Sequence, residues 1–553
     1  MKNIFTVFLI LLLFGCSQPE QQAAAIASAH PLATKAGEQI LKVGGNAFDA
    51  AIAVTAALAV VEPYSSGIGG GGFWLLHQAS EHKDIMLDGR EKAPYEAHRD
   101  MYLDAQGNVI KGASMDGPLA AGIPGVPAAL QHLAEKYGDL PLATSLQPAI
   151  DYARNGFEVD EHYRRMAGFR LEALNRSSAA AEVFLDKGRV PALGYKILQP
   201  DLANTLSVIA QQGAHGFYKG ELAQKLVKGV REAGGIWSMD DLSRYQVVER
   251  EPLQGHYKGM KITSAAPPSS GGVALIEILN QLSHYSLEQM NESRQLHRVV
   301  EAMRRAYRDR AEYLGDTDFV EVPVSRLIDP MYAAGLQASI HPEKATPSAL
   351  LPGVLKSNPS QDTSHFSIID RHGNRVAATL SINYPFGACF VAPGTGVLLN
   401  DEMDDFSSKA GVPNAYGLVG AEANAIEPGK RMLSSMTPTF LETDNRVAVI
   451  GTPGGSRIIT MVLLGALGFH QGLSADEIVN LPRYHHQYLP DLLFYEPGAL
   501  SDDIVQQLSG MGHQLKRESR TWGNMQLVVW DKRRRQISAA SDRRGIGQAR
   551  VIQ

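Results

Sequence analysis

The segment Asp362-Thr363-Ser364-His365-Phe366-Ser367 holds the residues of this chain best placed to do covalent chemistry. Thr363 carries a hydroxyl at the start of a β-type run, Phe366 to Ile369. It follows the stretch from His341 to Asp362, which contains Pro342, Pro347, Pro352 and Pro359 and has no sustained periodicity, the composition of an exposed linker. A cut before Thr363 would free an α-amine able to deprotonate the residue's own hydroxyl, which is what an N-terminal nucleophile needs. A second β-type run, Val376 to Leu380, lies beyond Asp370-Arg371-His372-Gly373-Asn374, the composition of a hairpin loop. A turn centred near His372-Gly373 pairs Thr363 with about Ser381 or Ile382, so Thr363, Ser381 and Asn383 become neighbours to within about two residues. From composition alone, an ordinary polar strand start explains these residues better.

Other tempting motifs fare worse. Gly67-Ile68-Gly69-Gly70-Gly71-Gly72 fits GxGxxG, but a dinucleotide fingerprint needs a strand before it and a helix after it. Here an Ala-rich helix precedes and the strand-like Phe73-Trp74-Leu75-Leu76 follows, so a tight backbone turn beside a ligand or strand is expected. His485-His486 has no HExxH or Cys cluster to make it a metal site, and adjacent residues do not share a face. Structural histidines, and no metal, are expected. Lys532-Arg533-Arg534-Arg535 sits between two strand-like segments and reads as a solvated turn rather than a nucleic-acid patch.

These residues must be held by a large, ordinary globular chain. The 553 residues carry Lys+Arg 52 against Asp+Glu 58, with 44% apolar and 20% charged residues, which argues against a disordered chain or a basic nucleic-acid binder. The two cysteines, Cys16 and Cys389, give neither a disulfide framework nor a cysteine-based zinc site. Ala33 to Val61, broken at Gly44-Gly45-Asn46, reads as two buried helices, the second capped by Asn46 or Asp49. From about Met115 to Tyr313 the sequence reads as mostly amphipathic helices, as at Leu202, Leu206 and Ile209 and from Leu296 to Tyr307. After the linker the chain mixes strands (Val447 to Ile450, Met525 to Trp530) with helices (Ile458 to Leu467, Ala475 to Leu481).

Residues 1–16 read as a leader: Lys2 supplies a positive start, Ile4 to Phe14 is apolar apart from Thr6, and Gly15-Cys16-Ser17 follows at once. A small residue before Cys resembles a bacterial lipobox, whose Cys takes the lipid. The alternative is a plain secretory signal ending near Gln18 to Ala25. The expectation is an exported, periplasmic protein whose only membrane contact is a lipid anchor on Cys16.

Taken in order, many stretches resemble the gamma-glutamyltransferases, members of the N-terminal nucleophile hydrolase superfamily. They include Gly44-Gly45-Asn46-Ala47, Gly67 to Phe73, Leu87-Asp88-Gly89-Arg90-Glu91, Pro267 to Gly272, Asp362 to Ser367, Asn400 to Ser407, Arg431 to Pro438, Pro453 to Arg457 and Pro482 to Gln487. The resemblance implies an α+β fold, a four-layer αββα sandwich shared by two subunits cut from one precursor: a large one over residues 17–362 and a small catalytic one over 363–553. It implies Thr363 as nucleophile, Asp362 and Thr363 as the self-cleavage site, Ser381 beside the nucleophile, and the backbone N–H groups of Gly454 and Gly455 as the oxyanion hole. Arg90, Ser434 and Ser435 would hold the donor's α-carboxylate, and Asp405 with Asn383 and Glu402 its α-ammonium. Tyr416 stands in the stretch resembling a lid loop.

The activity so implied is cleavage of the γ-glutamyl amide of glutathione and related compounds through a threonine acyl-enzyme. The glutamyl group passes to water or to an amino acid or peptide amine, with no cofactor. The rival readings are a glutaryl or cephalosporin-type acylase or a poly-γ-glutamate transferase of the same superfamily, and an inactive, tethered binding protein.

Overall fold

The computed structural model describes residues 23–351, 363–409, 411–414 and 417–553. Thirteen strands of these residues build two main sheets. Before the linker come β1 (Ala24–Ser28), β2 (Gly71–Gln78), β3 (Lys83–Gly89), β4 (Val248–Arg250), β5 (Leu253–Tyr257) and β6 (Met260–Ser264). After it come β7 (Ser364–Ile369), β8 (Arg375–Ser381), β9 (Thr439–Glu442), β10 (Arg446–Gly451), β11 (Gln526–Asp531), β12 (Gln536–Ser541) and β13 (Gln548–Ile552). The seven-stranded sheet runs β13-β1-β7-β8-β2-β3-β4 and the six-stranded sheet β12-β11-β10-β9-β6-β5. Each therefore contains strands from both sides of the linker.

Side-chain alternation separates the layers. On β1, Ala25 and Ala27 join Phe73, Leu75 and Ala377 in a core shared with the six-stranded sheet. Ile26 faces the other way and joins Trp74, Leu76, Phe366 and Val376 in a core shared with the helices α1 (Pro31–Lys42) and α2 (Ala47–Val61). On the outer side of the six-stranded sheet lie α3 (Gly271–Ser283) and α5 (Ile458–His470), with α4 (Glu292–Tyr313) packed on α3. This is the αββα order. All of α2 is buried, which suits a helix that is apolar on every side. Its entry is fixed by Asn46, whose side chain accepts from the Phe48 and Asp49 N–H groups while Asp49 accepts from the Asn46 N–H.

Two regions differ from the sequence reading. The stretch expected to be mostly helical contains β4, β5 and β6. β4 and β5 are only partly buried edge strands, and β6, though buried, is a five-residue strand with polar Lys261, Thr263 and Ser264, so none shows a strong apolar alternation. The turn from β5 to β6 uses Lys258 (φ 47°) and Gly259 (φ 84°), the two left-handed positions of a tight hairpin. The second is β1, whose Ala-rich run has no strand signature of its own and is extended because β13 and β7 pair with it on either side. Among the described residues no helix is long and apolar enough to cross a membrane. Arg533, Arg534 and Arg535 are exposed on the β11–β12 turn, as expected.

Candidate active site

The β7–β8 hairpin turns through Asp370, whose carboxylate accepts from the His372 and Asn374 N–H groups. That turn puts Leu380 opposite Ser364 and Thr379 opposite His365. One step further along the same register Ser381 comes level with Thr363, as the hairpin reading required. Ser381 is held in turn by β2, opposite Gly71. The glycine run before β2 is a close backbone approach: a Cβ on Gly70 would stand 2.2 Å from the Ser381 carbonyl oxygen. Asn383, at φ 73°, donates its N–H to Ser381 Oγ at 2.7 Å and its side-chain amide to the Asp401 carbonyl at 2.9 Å.

Opposite the hairpin, β10 runs out at Gly451 and the chain turns through Gly454 and Gly455 into α5. The Gly454 N–H donates to Thr363 Oγ at 2.9 Å. These glycines have φ 141° and 54°, strained for any L side chain, and a Cβ on Gly454 would meet Met461 Cε at 2.5 Å. The backbone donors here sit at the amino end of a helix, where the peptide dipoles favour negative charge.

Arg90 follows β3 and is buried. Its guanidinium donates to Glu402 Oε2 and to Asp405 Oδ2, each at 2.5 Å, and to the Met432 carbonyl at 3.3 Å. Glu402 and Asp405 are the two ends of one 3₁₀ turn, so a spacing of three puts both carboxylates on the same fork. The Asn414 amide donates to the other Asp405 oxygen at 3.2 Å. Ser434 Oγ accepts from the Met436 N–H at 3.1 Å, and Ser435 Oγ accepts from Arg310 at 3.2 Å.

Thr363, Ser381, Asn383, Arg90, Asp405, Ser434, Ser435 and Gly455 line one narrow cavity, closed further by Leu418, Met436, Ser456 and Ile458. Glu402 and Gly454 stand directly behind it through their bonds to Arg90 and Thr363. Cys16, Asp362 and Tyr416 lie outside the described residues. A larger open cleft between Arg446, Arg533 and Val551 contains none of the candidate residues.

The sequence reading missed Glu91. It is buried beside Arg90 at 3.5 Å, and neither carboxylate oxygen has a hydrogen-bond partner among the described residues. One guanidinium thus faces three carboxylates. Burial first, and repulsion from Glu402 next, hold Glu91 well above the usual carboxylate range; burial also raises Glu402, with Arg90 opposing. Carboxylates this close share their protons, so the cluster titrates as a unit. The only local signal for Glu91 was its place next to Arg90.

The histidine pair is structural in its contacts. His485 bonds Thr460 and Gln487, and His486 bonds Asp491. Elsewhere His297, Glu301 and His513 bring ligand-type atoms within 4.8 Å of one another. Glu301, however, is engaged by Arg304, Arg305 and the Thr346 N–H, and His297 by His513 and the His341 carbonyl. Cys389 is a buried thiol that accepts from Arg170 at 3.2 Å, and burial pushes it up to about 12.

An aliphatic hydroxyl against a backbone donor, in the same cavity as a cluster of opposite charges, can bind a zwitterion and acylate the hydroxyl. Comparison with known proteins agrees. The family model for gamma-glutamyltranspeptidase matches residues 33–552. The glutathione hydrolase proenzyme of Pseudomonas sp. (strain A14) is 45% identical over 498 residues, 88% of this chain and 86% of that protein. Among solved structures, the cephalosporin acylase from Bacillus halodurans has TM-score 0.84 at 27% identity over 99% of both chains. The gamma-glutamyltranspeptidase of Helicobacter pylori has TM-score 0.58 at 40% identity, covering 61% of this chain and 96% of that one. With the Thr363 hydroxyl, the Gly454-Gly455 turn and an Arg–carboxylate cluster around one cavity, and a family match over nearly its whole length, this chain belongs to the gamma-glutamyltranspeptidase family.

Proposed function

We propose that this protein is a self-processing gamma-glutamyltransferase and glutathione hydrolase that uses Thr363 as its nucleophile. The observation that carries the reading is the Gly454 N–H at 2.9 Å from Thr363 Oγ in the cavity whose other end holds the Arg90–Glu402–Asp405 cluster. In the precursor, Thr363 Oγ attacks the Asp362 carbonyl carbon, and the C–N bond breaks as the amine takes the hydroxyl's proton. Water then hydrolyses the ester. The products are a large subunit ending at Asp362 and a small one whose free α-amine belongs to Thr363.

In turnover that amine accepts the hydroxyl proton as Oγ attacks the γ-carbonyl of the donor. The oxygen that gains charge is met by the N–H groups of Gly454 and Gly455, and Ser381 supports the strand end beside them. The α-carboxylate is bound by Arg90 with Ser434 and Ser435, and the α-ammonium by Asp405 with Glu402 and Asn383. The amine half leaves with a proton, and water or an amino acid or peptide amine resolves the ester. Assay with γ-glutamyl-p-nitroanilide, with and without glycylglycine, tests this directly; no release of p-nitroaniline from protein that has split at residue 362 would reject it.

An acylase reading draws on the likeness to cephalosporin acylase over 99% of both chains. Turnover of glutaryl amides in preference to γ-glutamyl ones would establish it. We further propose export to the periplasm and attachment through lipid on Cys16, supported by the apolar run ending at Gly15-Cys16. Wild type in the membrane fraction and Cys16→Ser in the soluble fraction is the expected result. A soluble wild type with an unmodified N-terminus rejects the anchor.

A further inference from the structure

Helix α4 carries five buried or half-buried arginines: three of them are matched by carboxylates, and Arg298 lies over the Tyr285 ring and donates to the Ile340 and His341 carbonyls. Arg304 pairs with Glu301 and Asp491, Arg305 with Glu301, and Arg308 with Asp309. Arg310 is different. It is 4% exposed, and among the described residues no carboxylate lies within ion-pair distance. Its Nε donates to Ser270 Oγ at 2.9 Å and its other arm to Ser435 Oγ at 3.2 Å. Asp405 acts on it only through space, and a buried cation without a paired counter-ion is costly unless a further anion sits near it. Burial pushes it down to about 10, so it keeps its charge at neutral pH.

Arg310 also decides which way hydroxyl protons point. Ser435 Oγ accepts from Arg310, and Ser434 Oγ accepts from the Met436 N–H, so each hydroxyl's own proton remains to be donated. Both serines line the cavity. Ser270 Oγ accepts from Arg310 and donates to the Ser434 carbonyl at 2.7 Å, which ties the same guanidinium to the backbone of the pair. Arg90, by contrast, already faces Glu91, Glu402 and Asp405, so its cluster is net negative when the carboxylates ionise. The charge Arg90 can offer an incoming carboxylate is thus largely compensated, and Arg310 is a second cation behind the serine pair.

We infer that Arg310 is a positioning residue that supplies this charge: it orients Ser435 and Ser434 toward the donor's carboxylate and so selects donors that carry one. This rests on the head-group reading of the cavity given above. The test uses three p-nitroanilides: γ-glutamyl, which has both α-charges; glutaryl, which keeps the carboxylate and lacks the amine; and 4-aminobutyryl, which keeps the amine and lacks the carboxylate, measured as a competitor where its turnover is slow. Arg310→Gln should raise KM and lower kcat/KM about 10- to 100-fold for the γ-glutamyl and glutaryl compounds, and change 4-aminobutyryl binding less than about threefold. Arg310→Lys, which keeps charge without the fork, should restore part of the loss. Self-cleavage on a denaturing gel reports folding of each variant. Should Arg310→Gln fail to fold, Arg310→Lys and Ser435→Ala form the second test, their losses on the glutaryl compound combining less than additively. Equal losses on all three compounds, additive losses in that pair, or unchanged kinetics would overturn the assignment. A wild type active on glutaryl but not γ-glutamyl amides would refute the amine side of the head-group reading while leaving Arg310 to be judged on the glutaryl series.

Discussion

The two ends of the cavity are built from different materials. At one end the Thr363 hydroxyl meets a backbone donor from a pair of glycines at the start of a helix, and the neighbouring Ser381 and Asn383 are neutral. At the other, Arg90, Glu91, Glu402 and Asp405 crowd formal charges into a buried volume. Backbone N–H groups cannot titrate and barely reorganise, which suits the place where charge appears during reaction. Side-chain charges discriminate between ligands that differ by one ionic group. The comparison assigns the chemical step to the first end and the choice of acyl group to the second.

The largest effect should come from Thr363→Ala, which removes both the attacking atom and the processing group. Mass spectrometry should show a single uncut chain, and hydrolysis of any donor should vanish. A variant that still splits at residue 362 would transfer the cutting to another protease and break the assignment at its root. Next, Gly454→Ala forces a side chain onto φ 141° and against Met461, moving the donor N–H. Loss of one oxyanion donor typically costs about 10²–10³ in kcat, and the loss should be equal on γ-glutamyl and glutaryl donors. A loss confined to one donor would mean that the two ends are not separable.

Asp405→Asn acts at the charged end alone. A charge-assisted hydrogen bond of roughly 1.5–3 kcal/mol is at stake, so kcat/KM on γ-glutamyl donors should fall at least about tenfold. Glutaryl amides, which have no amine to lose, should fall much less. The smallest effect concerns Glu62, the titratable group beneath the nucleophile strand. It is buried, accepts from Ser364 Oγ at 2.6 Å, and burial raises it to about 7. The folded protein holds this proton between the ordinary carboxylate range and about pH 7, where the unfolded chain has released it. Stability therefore falls with rising pH across that window, then levels off. Glu62→Gln should remove that slope, worth roughly 1–3 kcal/mol between pH 5 and 8 in urea titrations, and leave donor selectivity unchanged. An unaltered slope would show that Glu62 is ionised throughout.

The neutral end was the more legible from sequence, because it depends on local rules. The Asp370 to Asn374 turn and two short apolar runs set a register that can be counted by hand, and it carried Ser381 to Thr363. The break at Gly44-Gly45-Asn46 likewise announced α1 and α2. The charged end is assembled from Glu91, Glu402 and Asp405 across more than 300 residues, and its protonation follows from burial that no window of sequence displays. Family resemblance named Arg90, Glu402 and Asp405, yet Glu91 and Arg310 stayed hidden because their roles are defined by partners they lack. The strands β4 and β5 were missed for a related reason: an edge strand shows water one side and half of its apolar pattern disappears.

The interleaving of the seven-stranded sheet sets the order of events in the life of the molecule. β1 lies between β13 and β7, and β8 pairs with β2, so three of the sheet's six pairings join a strand from before residue 362 to one from after it. Scission at the bond proposed above would leave two chains woven through one another, each lacking hydrogen-bond partners that the other supplies. Folding instructions that were once intramolecular become a bimolecular assembly problem. Maturation is accordingly a ratchet: the chain must complete its topology as one piece, and once severed and unravelled it has no short route home.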